Sequence, residues 1–160
     1  GGASIQHYVN YNYLVKLNIP QIHIYDSDYN QKDTAKHYQY QKYLDKVINS
    51  GNIGYLTRKA EIENYIHPDL IKSFYLIETC FHNKSDGWLE EWNSLDLSNF
   101  INQNVDKTNK DIEPISSPRT SKKYIATELS KQLTKEMLEE LDAFDEIKGW
   151  FEKIAELINK

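Results

Sequence analysis

Apolar residues recur at helical spacing in several stretches of the chain and alternate as short strands in two others. From Ser4 to Asn18, Ile5, Tyr8, Val9, Tyr13, Leu14 and Leu17 fall near one face, with Ser4 as an N-cap and Pro20 as the stop. Ile22-His23-Ile24-Tyr25 reads as a short strand, its two branched residues on one face, running into the polar loop Asp26-Ser27-Asp28 and Asn30. Asp33 and Thr34 are capping candidates for a helix to about Ser50, striped by Tyr40, Tyr43, Leu44, Val47 and Ile48 and ended by Gly51. A second strand is predicted at Ile53–Leu56, and Pro68 opens another short helix through about Ile77.

Helices alternating with strands over short links predict an α/β layer with parallel strands. The stretch from Phe81 to Pro118 is weaker: Trp88, Leu89 and Trp92 suggest a helical turn, and Asn, Asp and Ser dilute the rest. Ser116-Ser117-Pro118-Arg119 reads as a loop. A long helix is predicted from Ser121 to about Leu141, with Ile125, Leu129, Leu133, Met137 and Leu138 on one side. A last helix, Asp145 to Asn159, carries Ile147, Trp150, Phe151, Ile154, Leu157 and Ile158 at the same period. The chain thus divides into an α/β core over 1–80, a poorly patterned insertion over 81–120 and C-terminal helices over 121–160 that complete the same domain.

Composition narrows the class. At 160 residues, 39% apolar and 27% charged, the chain suits one globular domain with a real core. No apolar run approaches the ~20 residues of a membrane helix. A single cysteine, Cys80, excludes an internal disulfide or a cysteine zinc site and points to a reducing compartment. Gly1-Gly2-Ala3 opens the chain without a charged-then-apolar leader, so no signal peptide is visible. The net charge of −5 argues against binding nucleic acid by bulk charge alone and leaves open a carboxylate site in which cations supply the positive charge. His7, His23, His37, His67 and His82 form no His-x-x-x-His spacing, and no phosphate-binding glycine loop or G-x-S-x-G elbow occurs.

The chemistry concentrates after the strands. Asp26 and Asp28 sit at the C-terminal end of the first, the edge where open α/β sheets bind ligands. Carboxylates at i and i+2 there can share a Mg2+ ion, which takes hard oxygen ligands; alternatively each caps backbone N–H groups in a solvated turn. Glu61 and Glu63 follow the second strand. With Arg58 and Lys59 they could be a surface charge cluster, but beside Asp26 and Asp28 they would meet on one rim, where ionised carboxylates need cations. Lys122 and Lys123, at the start of the predicted long helix, oppose its dipole unless an anion such as phosphate binds there; the alternative is a solvated lysine pair.

Asn18-Ile19-Pro20-Gln21-Ile22-His23-Ile24-Tyr25-Asp26-Ser27-Asp28 and Lys59-Ala60-Glu61-Ile62-Glu63-Asn64-Tyr65-Ile66 resemble the Toprim domain of OLD-family (overcoming lysogenization defect) ATP-dependent endonucleases. Asp145-Glu146-Ile147-Lys148-Gly149-Trp150-Phe151-Glu152-Lys153-Ile154 is similar to their closing helix, and Gly1-Gly2-Ala3-Ser4 to the glycine turn after the first Toprim strand. The resemblance implies a Toprim-like parallel sheet flanked by helices, with a helical C-terminal extension. It implies DNA cleavage with two Mg2+ or Mn2+ ions, held by Asp26, Asp28 and Glu63 with Glu61 a neighbour, and Lys123 or Lys122 stabilising charge on the phosphate. The family's glutamate on the first strand has no counterpart here, so the expected fragment binds metal weakly and cuts poorly. An N-terminal ATPase domain of the same parent, absent from this chain, would bring ATP. The family further implies a cytoplasmic protein acting on DNA in phage defence, with homo-oligomerisation open.

Two other readings stand beside this one. A strand followed by Asp-Ser-Asp also resembles the haloacid dehalogenase phosphatases, with Asp26 as nucleophile and Asp28 as acid/base, although Asn30 stands where a hydroxyl residue is usual. A non-catalytic interaction domain would use the last two amphipathic helices to hold a partner.

Overall fold

The computed structural model describes residues 19–29, 41–78, 81, 85–109 and 117–159; the helix predicted over Ser4–Asn18, the first part of the helix ending near Ser50, and Cys80 lie outside them. The two predicted strands form as β1 (Ile22–Tyr25) and β2 (Ile53–Leu56). They pair in parallel, Ile22 opposite Ile53 and Tyr25 opposite Leu56. Helix α1 (Gln41–Asn49) precedes β2, ends at Gly51 in the left-handed region (φ 81°), and buries Val47. Gly54 of β2 lets it come close: a Cβ there would clash with Leu44 Cδ1. Among the described residues the sheet has these two strands, and Ile24 is 37% exposed, so the sheet is a small layer and not the centre of the molecule.

That centre is helical. A 3₁₀ turn (Ile62–Tyr65) leads into α2 (Pro68–Tyr75), whose N-cap His67 accepts from the Asp69 N–H through its ring (3.2 Å). Leu76 then turns left-handed (φ 53°), ending this helix before the predicted Ile77. The weakly patterned stretch folds as α3 (Trp88–Asn93) and α4 (Leu97–Asn104), the latter N-capped by Asp96, which accepts from the Asn99 N–H (3.1 Å). Of its large residues, Phe81, Trp92, Leu97, Ile101 and Val105 join one buried cluster with Tyr65, Ile71, Tyr75, Ile125, Leu129, Leu141 and Trp150, and Trp88, Leu89, Leu95 and Phe100 pack against it. Burying such side chains contributes about 1.5–3 kcal/mol each, which a diluted pattern conceals but does not weaken.

The predicted long helix requires correction. It begins earlier, with α5 (Pro118–Tyr124) following Ser117, where a loop is expected from the sequence. It then widens into a π-helical turn over Ile125–Leu129 and a short 3₁₀ turn, and stops at Leu133, whose backbone is extended (ψ 130°). Hydroxyls explain the change: Thr127 Oγ1 donates back to the Lys123 carbonyl (3.0 Å) and Ser130 Oγ to the Ala126 carbonyl (2.7 Å), loosening the ladder. Thr134 caps a new helix, α6 (Lys135–Glu140), by accepting from the Met137 N–H (3.3 Å). The last helix, α7 (Phe144–Ile158), forms as expected, but its stripe divides: Trp150 is buried, while Phe151 (66% exposed) and Ile158 (77%) face outward. No helix among the described residues is long and apolar enough to cross a membrane.

Candidate functional site

The ladder between the strands continues past their ends and brings the two acidic loops together. Thr57 N–H donates to the Tyr25 carbonyl, and Asp28 N–H to the Ala60 carbonyl, each at 2.9 Å. Between the aspartates, Ser27 turns inward: its Oγ donates to the Lys59 carbonyl (2.7 Å), its N–H to Thr57 Oγ1 (3.0 Å), and it is 1% exposed. Asp26 Oδ1 accepts from the Ile62 N–H at 2.9 Å, at the head of the 3₁₀ turn. The capping role open to Asp26 in the sequence is therefore filled, and by the loop that carries Glu61 and Glu63. Asp28 stands in the left-handed region (φ 49°).

Asn64 fixes the second loop. Fully buried, it donates from Nδ2 to the carbonyls of Trp92 (2.7 Å) and Leu95 (2.9 Å), and its Oδ1 accepts from the Glu61 N–H (2.9 Å). Trp92 Nε1–H returns a bond to the Asn64 carbonyl (3.0 Å). Three of these bonds tie the turn to α3 and the residues just after it, and the fourth closes it from within, leaving Glu61 and Glu63 little freedom of backbone.

Helix α5 supplies the cation. Ser121 and Ile125 are buried on either side of Lys122, so the helix is seated against the core and that lysine reaches the acidic rim. Lys122 Nζ lies 3.2 Å from Glu61 Oε1 and 3.1 Å from Glu63 Oε1. Lys123 is exposed, its ammonium 6.0 Å from the Tyr124 ring centre. The placement of both lysines at a helix start is corrected by the same geometry: with Pro118 first and the helical backbone running on to Gln132, they fall within the helix and not at its N-terminus.

The electrostatics reflect crowding. Burial pushes Glu61 up to about 7, with the Lys122 ammonium opposing and the Glu63 charge adding to it. Burial also raises Asp26; the bond from Ile62 and the charge of Lys122 pull it down, while Glu63 and Asp28 push it up. For Lys122, burial lowers its pKa, but the two glutamates prevail and raise it. Glu63 is 8% exposed, and both Glu61 Oε2 and Glu63 Oε2 are buried without a hydrogen-bond partner. Such atoms cost about 1–3 kcal/mol each when left unmade.

Asp26, Glu61, Glu63 and Lys122 are thus gathered at one rim, with Asp28 close enough for its charge to act on Asp26. The carboxylates do not converge on a point: among the described residues no group of three or more His, Cys, Asp or Glu stands ready to hold a metal ion. As a donor set they nonetheless suit a hard divalent cation, being all oxygen, anionic and partly unsatisfied.

Two residues that carry this site give no chemical signal in the sequence. Lys59 is 2% exposed, donates from Nζ to Asn93 Oδ1 and to the Leu141 carbonyl (2.7 Å), and sits 5.5 Å from the Tyr65 ring centre. Asn64 is the other; only its place three residues after Glu61, at the spacing of a capping pair, hints at its bond back to that backbone. No family model, no curated protein and no solved structure matches this chain.

Proposed function

We propose that the chain is the catalytic portion of a divalent-metal-dependent DNA endonuclease of Toprim-like architecture. The observation that carries this reading is that Asp26, after one of two parallel strands, bonds the loop after the other, whose Glu61 and Glu63 share one lysine. Asp26, Asp28, Glu61 and Glu63 would hold Mg2+ or Mn2+, which supplies charge neutralisation and water activation for phosphodiester hydrolysis. The protein's own parts have distinct work. The Ile62 N–H orients Asp26, and Asn64 fixes the backbone of Glu61. Lys122 brings a positive charge to where the scissile phosphate gains negative charge; Lys123 stands away from the carboxylates.

Relative to the phosphatase reading, the presence of a second acidic pair on the loop that Asp26 bonds favours phosphodiester chemistry with metal bound by both loops. In the full-length parent protein, nicking of supercoiled plasmid with Mn2+ is expected to fall at least about 100-fold on Asp26→Asn. Undiminished cutting by that variant, or failure of the unaltered protein to bind Mn2+ in calorimetry, would overturn the assignment.

A further inference from the structure

We propose that Lys122 is a tethered counter-ion: in the metal-free protein its ammonium occupies the cation position between Glu61 and Glu63, and an arriving divalent cation displaces it. This rests on the metal-dependent reading above and adds to it a competition built into the chain.

The geometry is specific. Lys122 Nζ touches one oxygen of each glutamate, at 3.2 and 3.1 Å. An ammonium has three donors and satisfies only those it can reach. The second oxygen of each glutamate is left buried and unpartnered. Glu63 is more than nine-tenths buried, so its orphan oxygen has no recourse to bulk water. A lysine therefore neutralises part of the charge of the pair and leaves part of its coordinating capacity unused, which a divalent cation can take up.

Displacement is mechanically available. The Lys122 side chain is 38% exposed, so one side of it is open to solvent. Its backbone is not free to move, because Ser121 and Ile125 beside it are buried. Release is then a rotation of the side chain about a fixed helix. The freed ammonium stays at the rim, where a substrate phosphate would meet it. Metal loading and presentation of the phosphate-binding charge become one event.

The test uses MnCl2 alone with the metal-free protein. Lys122→Met is expected to bind Mn2+ about tenfold more tightly in calorimetry, because a competing charge has been removed. Without metal it should melt lower than the unaltered protein, and with saturating Mn2+ it should gain more. Lys122→Gln, which keeps a donor but no charge, should do the same and serves if the methionine variant folds poorly. Lys123→Met should leave Mn2+ affinity unchanged. In the unaltered protein, acetylation of Lys122 followed by peptide mapping should rise severalfold when Mn2+ is added, with Lys123 constant. Mn2+ binding that is equal or weaker in the Lys122 variants, with Lys122 acetylation indifferent to the metal, would overturn the counter-ion role and leave the metal site standing. Absence of Mn2+ binding in all variants would remove the metal reading and this proposal together.

Discussion

Lys59 and Lys122 leave water within the same group of loops, and they meet opposite surroundings. Lys59 is enclosed by neutral acceptors, the Asn93 amide oxygen and the Leu141 carbonyl, and by the Tyr65 ring. Burial there lowers its ammonium to about 8. Lys122 is half open and held by two carboxylates, which raise its pKa against the opposing effect of burial. The first arrangement joins three distant pieces of backbone and has no room for exchange. The second leaves two glutamate oxygens unsatisfied and an open side, so its contacts can be traded. A buried cation with neutral partners ties the fold together, whereas one with surplus carboxylate is the arrangement on which the proposed chemistry rests.

The largest effect is expected at the anchor between the two. Asn64→Ala removes three side-chain hydrogen bonds whose partners stay enclosed, and should lose about 3 kcal/mol in urea unfolding and also weaken Mn2+ binding. Lys59→Ala, which orphans the Leu141 carbonyl and leaves a gap, should cost about 2 kcal/mol and do little to Mn2+ affinity. A larger change in metal binding than in stability would erase the contrast with Lys122.

The pH dependence sharpens it further. Because folding lowers Lys59 from 10.5 to about 8, the unfolded chain holds more protons in that window. Stability should therefore rise with pH between those values, by up to about 1 kcal/mol per unit from this group, and be flat in it below. Lys59→Met should abolish that rise in denaturant titrations. The smallest effect is expected for Lys122→Ala, at about 1 kcal/mol without metal, because removing a side chain that is 38% exposed opens a path for water to the buried Glu63. A loss as large as that of Lys59→Ala would make Lys122 a second structural staple.

Much of the local structure is legible from the residues. Both strands follow from short segments built on Ile and Tyr between turn residues, and α7 from its apolar period. The long helix after Ser117 is less so, because Thr127, Ser130 and Thr134 each offer the backbone an alternative hydrogen bond that a hydrophobic stripe does not reveal. The helices α3 and α4 are obscured for another reason: short helices with few apolar residues depend on tertiary burial, not on their own propensity. At the site, the acidic positions stand out by their placement after strands, while Asn64 and Lys59 are ordinary polar residues whose importance comes from being enclosed.

What the sequence determines is where carboxylates leave the sheet, since strand alternation and loop chemistry are local and act within a few residues. Only the tertiary structure decides that Lys122, and not its neighbour, meets Glu61 and Glu63, and that Lys59 is enclosed. The angle of a side chain around α5 takes its meaning from what the helix is seated against. That is set by burial of distant apolar residues, to which adjacent lysines in a sequence give no clue.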